Sequence, residues 1–261
     1  MDVTSQPRSI DLNSDLGEGF GPFRVGADEA LFPLISSANV ACGFHGGDAS
    51  MMELTVFRAK EHGVAVGAHP GFPDRMGFGR RPMSASPAEI RADVLYQLGA
   101  MGAFCRAAGV EMQHVKAHGA LYNMAVGDPR IAEAIARAVR DFDPGLRFFA
   151  IPGSALQAAG DEAGLRVTRE AFADRAYEAD GSLVSRSKPG SVIEDVALVA
   201  DRMARLVNEG VIETIDGQTL AMEADTICIH SDTPSAVELA QAIASRFAAE
   251  GIEIRHLGDR A

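Results

Sequence analysis

Side chains that can bind a substrate or move a proton stand at the ends of seven short apolar segments of this chain. The segments comprise residues 10–15, 37–45, 64–69, 112–118, 148–154, 167–170 and 226–232. Carboxylates, imidazoles and a lysine at such positions can move protons, stabilise a developing negative charge or bind an anion. Because the strands of an α/β barrel end at one common mouth, the pattern predicts a single active site there.

Five of these residues are predicted to carry out the chemistry: Asp15, His45, His69, Lys116 and His118. A lysine on the inner face of a barrel needs an anionic partner. For Lys116 this partner is Asp15, or a carboxylate or phosphate of the substrate. A purely structural Lys–Asp pair is the alternative, since buried ion pairs also shift pKa values without a catalytic role.

The segment from Asp11 to Glu18 places several acidic groups close together. Asp11, Asn13 and Asp15 share one face of the predicted strand, and Glu18 follows its end. Neighbouring carboxylates repel each other, so one of them holds a proton near neutral pH or the group binds a cation. A capping cluster for the next helix is the alternative interpretation.

A divalent metal is one use for these side chains. Asp15 (or Asp11) together with His45 and His69 would supply two nitrogens and one oxygen, as catalytic zinc sites with an open position do. The three residues are dispersed over separate strands, so the presence of a metal stays open. Asp48 either belongs to the same region or caps the following helix.

Further polar residues around the mouth are candidates for binding the substrate. They are Asp11, Asn13, Glu18, Asn39, Arg80, Arg81, Asn123, Glu170, Arg175, His230 and Asp232. The loop 70–84 is rich in glycine and arginine, and we predict a lid in which Arg80 or Arg81 binds a carboxylate or phosphate. The alternative is an ordered surface loop whose arginines pair with Asp74 or Glu18.

Two further groupings complete the predicted ring of polar residues. Glu170 is grouped with Arg175, and His230 with Asp232. Asp232 has an alternative role as the cap of a helix that begins near Pro234.

The alternation of side chains within the segments indicates which face is functional. In the fourth segment His114, Lys116 and His118 oppose Val115 and Ala117, because side chains of a strand point alternately to its two faces. A parallel sheet with two apolar faces would be almost continuously apolar. We therefore predict that the polar face lines a wet, functional lumen and that the apolar face packs on helices.

Helix-like stretches separate the apolar segments. The predicted helices comprise residues 27–35, 49–62, 86–108, 129–142, 155–163, 191–208 and 235–249. A β-hairpin is predicted for residues 211–222, across Asp216-Gly217, and a short eighth strand for residues 252–257. Regular alternation of strand and helix predicts an α/β fold with a parallel sheet, organised as one barrel domain over residues 1–261.

Composition limits the classes of function. The net charge of −12 argues against binding to nucleic acid or to an anionic membrane. No apolar run reaches the length of a membrane span, and residues 1–9 lack the apolar core of a secretory signal. Three cysteines without metal-type spacing predict a reduced, cytoplasmic protein. The sequence contains no P-loop, no Rossmann glycine fingerprint and no GxSxG elbow.

Six motifs closely resemble those of the LamB/YcsF family. They read DLNSDLGEGFG, SANVACGFHGGD, GAHPGFPDRMGFGRR, HVKAHGALYN, EAFADRAYEADGSLVSR and H-x-D-T-P, in family order between residues 10 and 247. The resemblance implies a distorted, TIM-like (β/α)7 barrel similar to that of polysaccharide deacetylases. That family supplies the A subunit of the bacterial ATP-dependent 5-oxoprolinase, which cleaves 5-oxo-L-proline to L-glutamate. The resemblance therefore also implies ATP consumption by a complex with partner subunits B and C.

Two other functions remain as alternatives at this point. One is a metal-dependent deacetylase or related amidohydrolase that uses Asp15, His45 and His69. The other is a substrate-binding or regulatory subunit that performs no chemistry of its own. Stoichiometric zinc that is needed for activity would favour the first, whereas lumen variants that leave activity unchanged would favour the second.

Overall fold

Seven parallel strands pair side by side and close on themselves in the computed structural model, which describes residues 8–259. In chain order the strands are β1 (Ser9–Leu16), β2 (Ser37–Ala41), β3 (Ala65–His69), β4 (Met112–Val115), β5 (Arg147–Ala150), β6 (Arg166–Phe172), β7 (Val211–Glu213), β8 (Thr219–Ala221), β9 (Thr226–His230) and β10 (Glu253–Ile254). Strand β9 pairs with both β6 and β1, which closes the barrel. The predicted parallel barrel is therefore confirmed.

Eight helices connect the strands of residues 8–259. They are α1 (Asp28–Leu31), α2 (Ala49–Glu61), α3 (Pro87–Ala108), α4 (Gly119–Gly127), α5 (Pro129–Phe142), α6 (Ala155–Glu162), α7 (Val196–Glu209) and α8 (Ala236–Ala249). None of them combines the length and the apolar character needed to cross a bilayer. The sequence predicts that residues 1–9 are not a secretory signal. Most of that segment, residues 1–7, lies outside the described residues.

Some predicted boundaries were wrong. The helix expected over residues 27–35 is only α1 followed by a 3₁₀ turn at Phe32–Leu34, because Pro33 has no N–H for an α-helical hydrogen bond. Helix α7 begins at Val196, after its N-cap Asp195, and not at residue 191. Helix α4 was not predicted, since the sequence there had been interpreted only as a site motif.

Local capping signals explain why the other helices begin and end where they do. The Asp48 carboxylate accepts the Met51 N–H, so the capping role of Asp48 is confirmed. Ser86 and Glu89 form a reciprocal capping box at the start of α3. Gly109 ends the same helix in the left-handed conformation that glycine adopts without strain.

The barrel sheet has an outer apolar and an inner polar face, as the alternation predicts. Ile10, Leu12 and Val115 belong to the apolar core. The prediction of a wet lumen is wrong for its amino-terminal half. The inner face there is packed with fully buried polar side chains, which we call the lumen floor: Asp11, Asn13, Asn39, His114 and Thr226.

Two smaller elements complete the fold. Strands β7 and β8 form the predicted hairpin, with antiparallel pairing. The predicted eighth strand is reduced to β10, which extends the sheet beside the start of β1 through the pairs Ser9–Glu253 and Ile10–Ile254.

Candidate active site

A cavity of about 520 Å³ opens at the carboxyl ends of the barrel strands. Four of the five predicted catalytic residues line it: Asp15, His69, Lys116 and His118. Four predicted substrate-binding residues also line it: Arg80, Asn123, Arg175 and His230. Apart from Asn123, which lies in α4, each of these comes from the end of a strand or from the loop that follows, which is where barrel enzymes place their active sites.

Lys116 lies at the base of the cavity between two carboxylates. Its Nζ atom is 3.0 Å from Asp15 Oδ1 and 2.9 Å from Glu170 Oε1. Burial opposes the charge of Lys116, but Asp15 and further acidic neighbours raise its pKa well above the ordinary value. Burial likewise opposes ionisation of Asp15, but His69 and Lys116 lower its pKa well below the ordinary value. The pair is therefore ionised at neutral pH.

Glu170 supports this pair from outside the cavity. It is fully buried, and the Tyr122 hydroxyl donates a hydrogen bond of 3.0 Å to it. The predicted grouping of Glu170 with Arg175 is wrong. The Arg175 guanidinium instead donates to the carbonyl oxygens of Val184 and Ser191, at 2.6 and 3.2 Å, so it fixes the insert that follows β6.

Three histidines and one carboxylate form a cluster at one side of the cavity. His118 Nδ1 lies 3.0 Å from His69 Nε2, and the His118 ring stacks on His45 with centroids 3.6 Å apart. His45 Nε2 lies 3.1 Å from Glu18 Oε1. We call Glu18, His45, His69 and His118 the imidazole cluster. His45 is fully buried behind His118, so the prediction that all five catalytic residues line one cavity is wrong for this residue.

Burial dominates the electrostatics of the imidazole cluster. Burial, followed by the negative charge of Asp15, raises the pKa of Glu18 well above its ordinary value. Burial, followed by the other histidines, lowers the pKa values of His45 and His118 well below the ordinary value. Glu18 therefore favours its protonated form, whereas Asp15 on the same strand end stays ionised. Environment thus separates two nearby carboxylates into two protonation states.

A His–Asp dyad on the opposite side of the cavity was missed by sequence reasoning. His230 Nδ1 donates to Asp174 Oδ1 over 2.8 Å, and the Thr233 hydroxyl donates to Asp174 Oδ2 over 2.8 Å. Burial opposes ionisation of Asp174, but His230 and these hydrogen bonds lower its pKa to about 2. The arrangement leaves His230 Nε2 for the cavity. Asp174 stands in the fifth motif, four residues after Glu170, and that position was the available signal.

Three arginines bring positive charge to the cavity wall: Arg80, Arg175 and Arg186. Burial, followed by the nearby charge of Arg186, lowers the pKa of Arg175 to about 10. Arg80 forms an ion pair of 2.7 Å with Asp232. Asp232 does not cap the last helix, because Ser235 occupies the N-cap position of α8. The wall thus fits an anionic ligand.

The loop 70–84 is hydrogen-bonded to neighbouring elements and forms part of the cavity wall, and its action as a lid stays a prediction. Gln97 bonds both the N–H and the carbonyl of Gly71, at 2.9 and 3.0 Å. The Gly79 carbonyl accepts the Ala120 N–H at 2.8 Å. Arg81 is largely exposed and pairs with Asp74, so the alternative interpretation is correct for Arg81, whereas Arg80 reaches the cavity.

The remaining predicted substrate-binding residues do not reach the cavity. Asp11 is fully buried and accepts hydrogen bonds from the hydroxyls of Ser36, Ser37 and Thr226. The Asn39 amide donates to Asn13 and Asp15 at 2.7 and 2.8 Å. The structure therefore corrects the prediction that Asp11, Asn13 and Asn39 contact a substrate directly. Their depth within the strands, several residues before the carboxyl ends, is the physical reason.

The metal donor set predicted from the sequence is not assembled as one group. Among residues 8–259, Glu18 joins the histidines, and the donor atoms of the imidazole cluster all lie within 4.8 Å of one another. Asp15 is outside this group, although its Oδ2 atom lies 3.4 Å from His69 Nε2. Asp15 instead groups with Cys228 and His230. The donor types of the imidazole cluster, imidazole nitrogen and carboxylate oxygen, suit zinc and related ions.

Comparison with known proteins places the chain in a family. The LamB/YcsF family profile matches residues 10–261. The A subunit of 5-oxoprolinase from Symbiobacterium thermophilum is 54% identical over 247 residues, which are 95% of each chain. The corresponding A subunit from Thermus thermophilus is 52% identical over 94% of this chain and 98% of the relative.

Solved structures agree with this placement. The crystal structure of a lactam utilization protein from Thermus thermophilus superimposes with a TM-score of 0.91 at 52% identity, over 95% of this chain and 99% of that one. A putative cellobiose-phosphate cleavage protein from Enterococcus faecalis has a TM-score of 0.53 at 10% identity over 96% and 98% of the two chains, which indicates a shared fold alone. The chain belongs to the LamB/YcsF family.

Proposed function

We propose that this chain is the A subunit of a 5-oxoprolinase and hydrolyses the lactam of 5-oxo-L-proline to L-glutamate. The relatives that carry this name match nearly the whole chain at about half identity. The observation that carries the proposal is the cavity itself. It combines an arginine wall, the Lys116–Asp15 pair and the His230–Asp174 dyad within about 520 Å³.

The cavity suits a small ring that bears a carboxylate. Arg80, Arg175 and Arg186 provide the positive charge for the substrate carboxylate, because a planar guanidinium donates two parallel hydrogen bonds. Ile151 and Phe172 supply apolar surface on the same cavity wall, against which the carbon atoms of a five-membered ring can pack.

Hydrolysis of a lactam needs three contributions from the protein. Water must lose a proton as it attacks the carbonyl carbon, the developing oxyanion must be stabilised, and the ring nitrogen must gain a proton as the C–N bond breaks. We assign the oxyanion to the ammonium of Lys116 because, against the effect of burial, Asp15 and other acidic neighbours raise its pKa, and because it lines the cavity. We assign the proton transfers to His230, because Asp174 fixes its tautomer and stabilises its protonated form.

The complex that contains this chain is proposed to consume ATP. A five-membered lactam is a stabilised amide. Transfer of the γ-phosphoryl group of ATP to its carbonyl oxygen, with release of ADP, would make the carbonyl carbon easier to attack, and the phosphate would leave after water has added. The chain has no P-loop, so phosphate contacts within it must come from Lys and Arg side chains or helix N-termini. The relatives are named as one subunit of an enzyme, which indicates a multi-subunit complex, and we propose subunits B and C as the partners.

Reconstitution tests this function directly. Release of glutamate from 5-oxoproline is measured with and without ATP and partner subunits, using the wild-type chain and the Lys116→Met variant. We expect release only in the complete, wild-type mixture. Equal release with the Lys116→Met chain would instead indicate that this chain performs no chemistry of its own.

A further inference from the structure

Two buried imidazoles in the imidazole cluster face each other with unprotonated nitrogens. The other ring nitrogen of each is occupied: His69 Nδ1 lies 2.8 Å from the Lys116 carbonyl oxygen, and His118 Nε2 lies 2.7 Å from the Phe78 carbonyl oxygen. A carbonyl oxygen only accepts, so both of these nitrogens carry the proton of the neutral ring. In the neutral rings, His69 Nε2 and His118 Nδ1 therefore present lone pairs to each other across 3.0 Å, and Asp15 Oδ2 lies 3.4 Å from the same His69 nitrogen.

Such an arrangement requires a positive charge between the two nitrogens. Lone pairs at this distance repel, and both side chains are almost completely buried, so water cannot separate them freely. Glu18 contributes a carboxylate oxygen 3.4 Å from His118 Nδ1. Bonds of about 2.0–2.1 Å to a tetrahedral zinc place neighbouring donor atoms about 3.3 Å apart. The observed distances from His118 Nδ1 to His69 Nε2 and to Glu18 Oε1, 3.0 and 3.4 Å, lie on either side of that value.

The hydrogen bonds around the two histidines are those of metal ligands. A metal-bound histidine commonly donates its second N–H to a backbone carbonyl, which fixes the tautomer and the ring orientation. Phe78, which supplies one of these carbonyls, has a left-handed φ of 54°, uncommon for a residue other than glycine. The backbone is therefore held in a costly conformation at the point where it orients His118.

His45 is excluded as a third imidazole ligand by ring geometry. Its ring is stacked on that of His118 with centroids 3.6 Å apart and an interplanar angle of 5°. A metal ion lies close to the plane of each imidazole that binds it, and two parallel planes at this separation do not share an ion. His45 instead contacts the Glu18 carboxylate and supports the His118 ring.

We propose that Glu18, His69 and His118 bind a divalent transition metal ion of the class that prefers imidazole, with zinc as the representative. Two histidines and one glutamate form a donor set of catalytic zinc sites, in which a fourth position remains open. His69 and His118 line the cavity, so the open position faces the proposed substrate. The site goes beyond the proposed lactam hydrolysis, because ion binding is measured without any substrate.

The test is metal titration of the full-length chain. The protein is stripped with a chelator and titrated with Co²⁺, followed by its absorption bands, and with Zn²⁺ in competition; bound metal is counted by mass spectrometry. We expect one ion per chain and a loss of affinity of more than about 100-fold in Glu18→Gln and His69→Asn. His45→Phe keeps the stacking and should weaken binding only about 10- to 100-fold. His62→Asn, at an exposed histidine, is the matched control and should bind like the wild type.

Several outcomes would overturn the site. One is that no stoichiometric ion binds and that NMR shows a strongly downfield imidazole proton that persists in excess Zn²⁺. His69 and His118 would then share a proton in place of a metal ion. Another is metal binding by the Glu18→Gln/His69→Asn double variant that equals that of the wild type. A third is metal binding that is lost in Cys228→Ser but not in the variants of Glu18 and His69. X-ray absorption of the wild-type cobalt protein, with two imidazoles expected in the first shell, keeps the test valid if a variant does not fold.

Discussion

The lumen floor and the cavity above it use the same kinds of side chain in opposite ways. On the floor, both oxygens of Asp11 accept hydrogen bonds from serine and threonine hydroxyls, and Asn39 joins Asn13 to Asp15. In the cavity, burial, followed by the charge of a nearby arginine, lowers the pKa values of Arg175 and Arg186, and the nitrogens of His69 and His118 face each other at 3.0 Å. The floor pairs most of its polar groups with one another, with His114 Nδ1 as an exception, and these hydrogen bonds stabilise the barrel. The cavity instead places arginine side chains and the two facing imidazole nitrogens beside open space, where a ligand can contact them.

The largest effect should come from Lys116, which joins the two regions. Lys116→Met removes the proposed oxyanion partner, and we expect the rate of glutamate release by the reconstituted complex to fall by about 10³-fold. The variant also leaves Asp15 and Glu170 facing each other without the ammonium. Because two buried carboxylates then lack their cation, we expect a loss of about 3–5 kcal/mol in the free energy of unfolding.

A double variant separates these two effects of Lys116. Lys116→Met/Glu170→Gln should recover part of the stability in urea unfolding, because it leaves one buried carboxylate instead of two. It should not recover turnover. If the double variant regains both, Lys116 serves only to neutralise Glu170 and Asp15.

The second effect concerns the dyad. Asp174→Asn removes the charge that stabilises protonated His230, so we expect kcat to fall about 10²-fold and its pH profile to change. Thr233→Val, which removes the hydroxyl that bonds the other Asp174 oxygen, is the matched control and should have a much smaller effect. A uniform loss of active protein, with an unchanged pH profile, would point to a structural role for Asp174.

The third prediction concerns His114 of the lumen floor and the dependence of the free energy of unfolding on pH. Burial, followed by the charge of Lys116, lowers the pKa of His114 to about 3, whereas an unfolded histidine titrates near about 6.5. Between these values the unfolded chain binds a proton that the folded chain does not. Stability should therefore fall by about 1.4 kcal/mol per pH unit as pH drops below about 6.

Urea unfolding at pH 7, 6 and 5 checks this slope. His114→Gln retains an amide that can donate to Asn39, as the His114 Nε2 atom does at 2.8 Å, but it cannot titrate. The free energy of unfolding of His114→Gln should therefore fall less steeply below pH 6 than that of the wild type, by about 1.4 kcal/mol per pH unit. An identical pH dependence in the variant would show that His114 takes up its proton in the folded state as well.

The parts that the sequence predicted are those governed by the two-residue period of strands. Asp15, His69 and Lys116 lie on strands or directly after them, and their inward direction follows from counting. Asp174 and Arg186 lie in the long insert after β6, where no periodicity relates position to direction. His45 follows β2 by four residues, and its place behind His118 depends on packing between two loops. The inward direction of residues in strands was therefore predicted correctly, but the depth of Asp11, Asn13 and Asn39 below the cavity was not, and residues in loops required the structure.

Neighbouring arginines in the loop 70–84 provide the smallest and most selective comparison. Arg80 lies over the Phe78 ring at 5.0 Å, pairs with Asp232 and lines the cavity. Arg81 points away to Asp74, with 66% of its side chain exposed. We expect Arg80→Ala to raise KM for 5-oxoproline about tenfold, the cost of one charge-assisted hydrogen bond. Arg81→Ala should leave kcat and KM within about twofold, since exposed ion pairs contribute little. Steady-state kinetics of the two single variants decides between them. Equal effects on KM would mean that the loop acts as a unit and that the division between cavity wall and surface does not hold there.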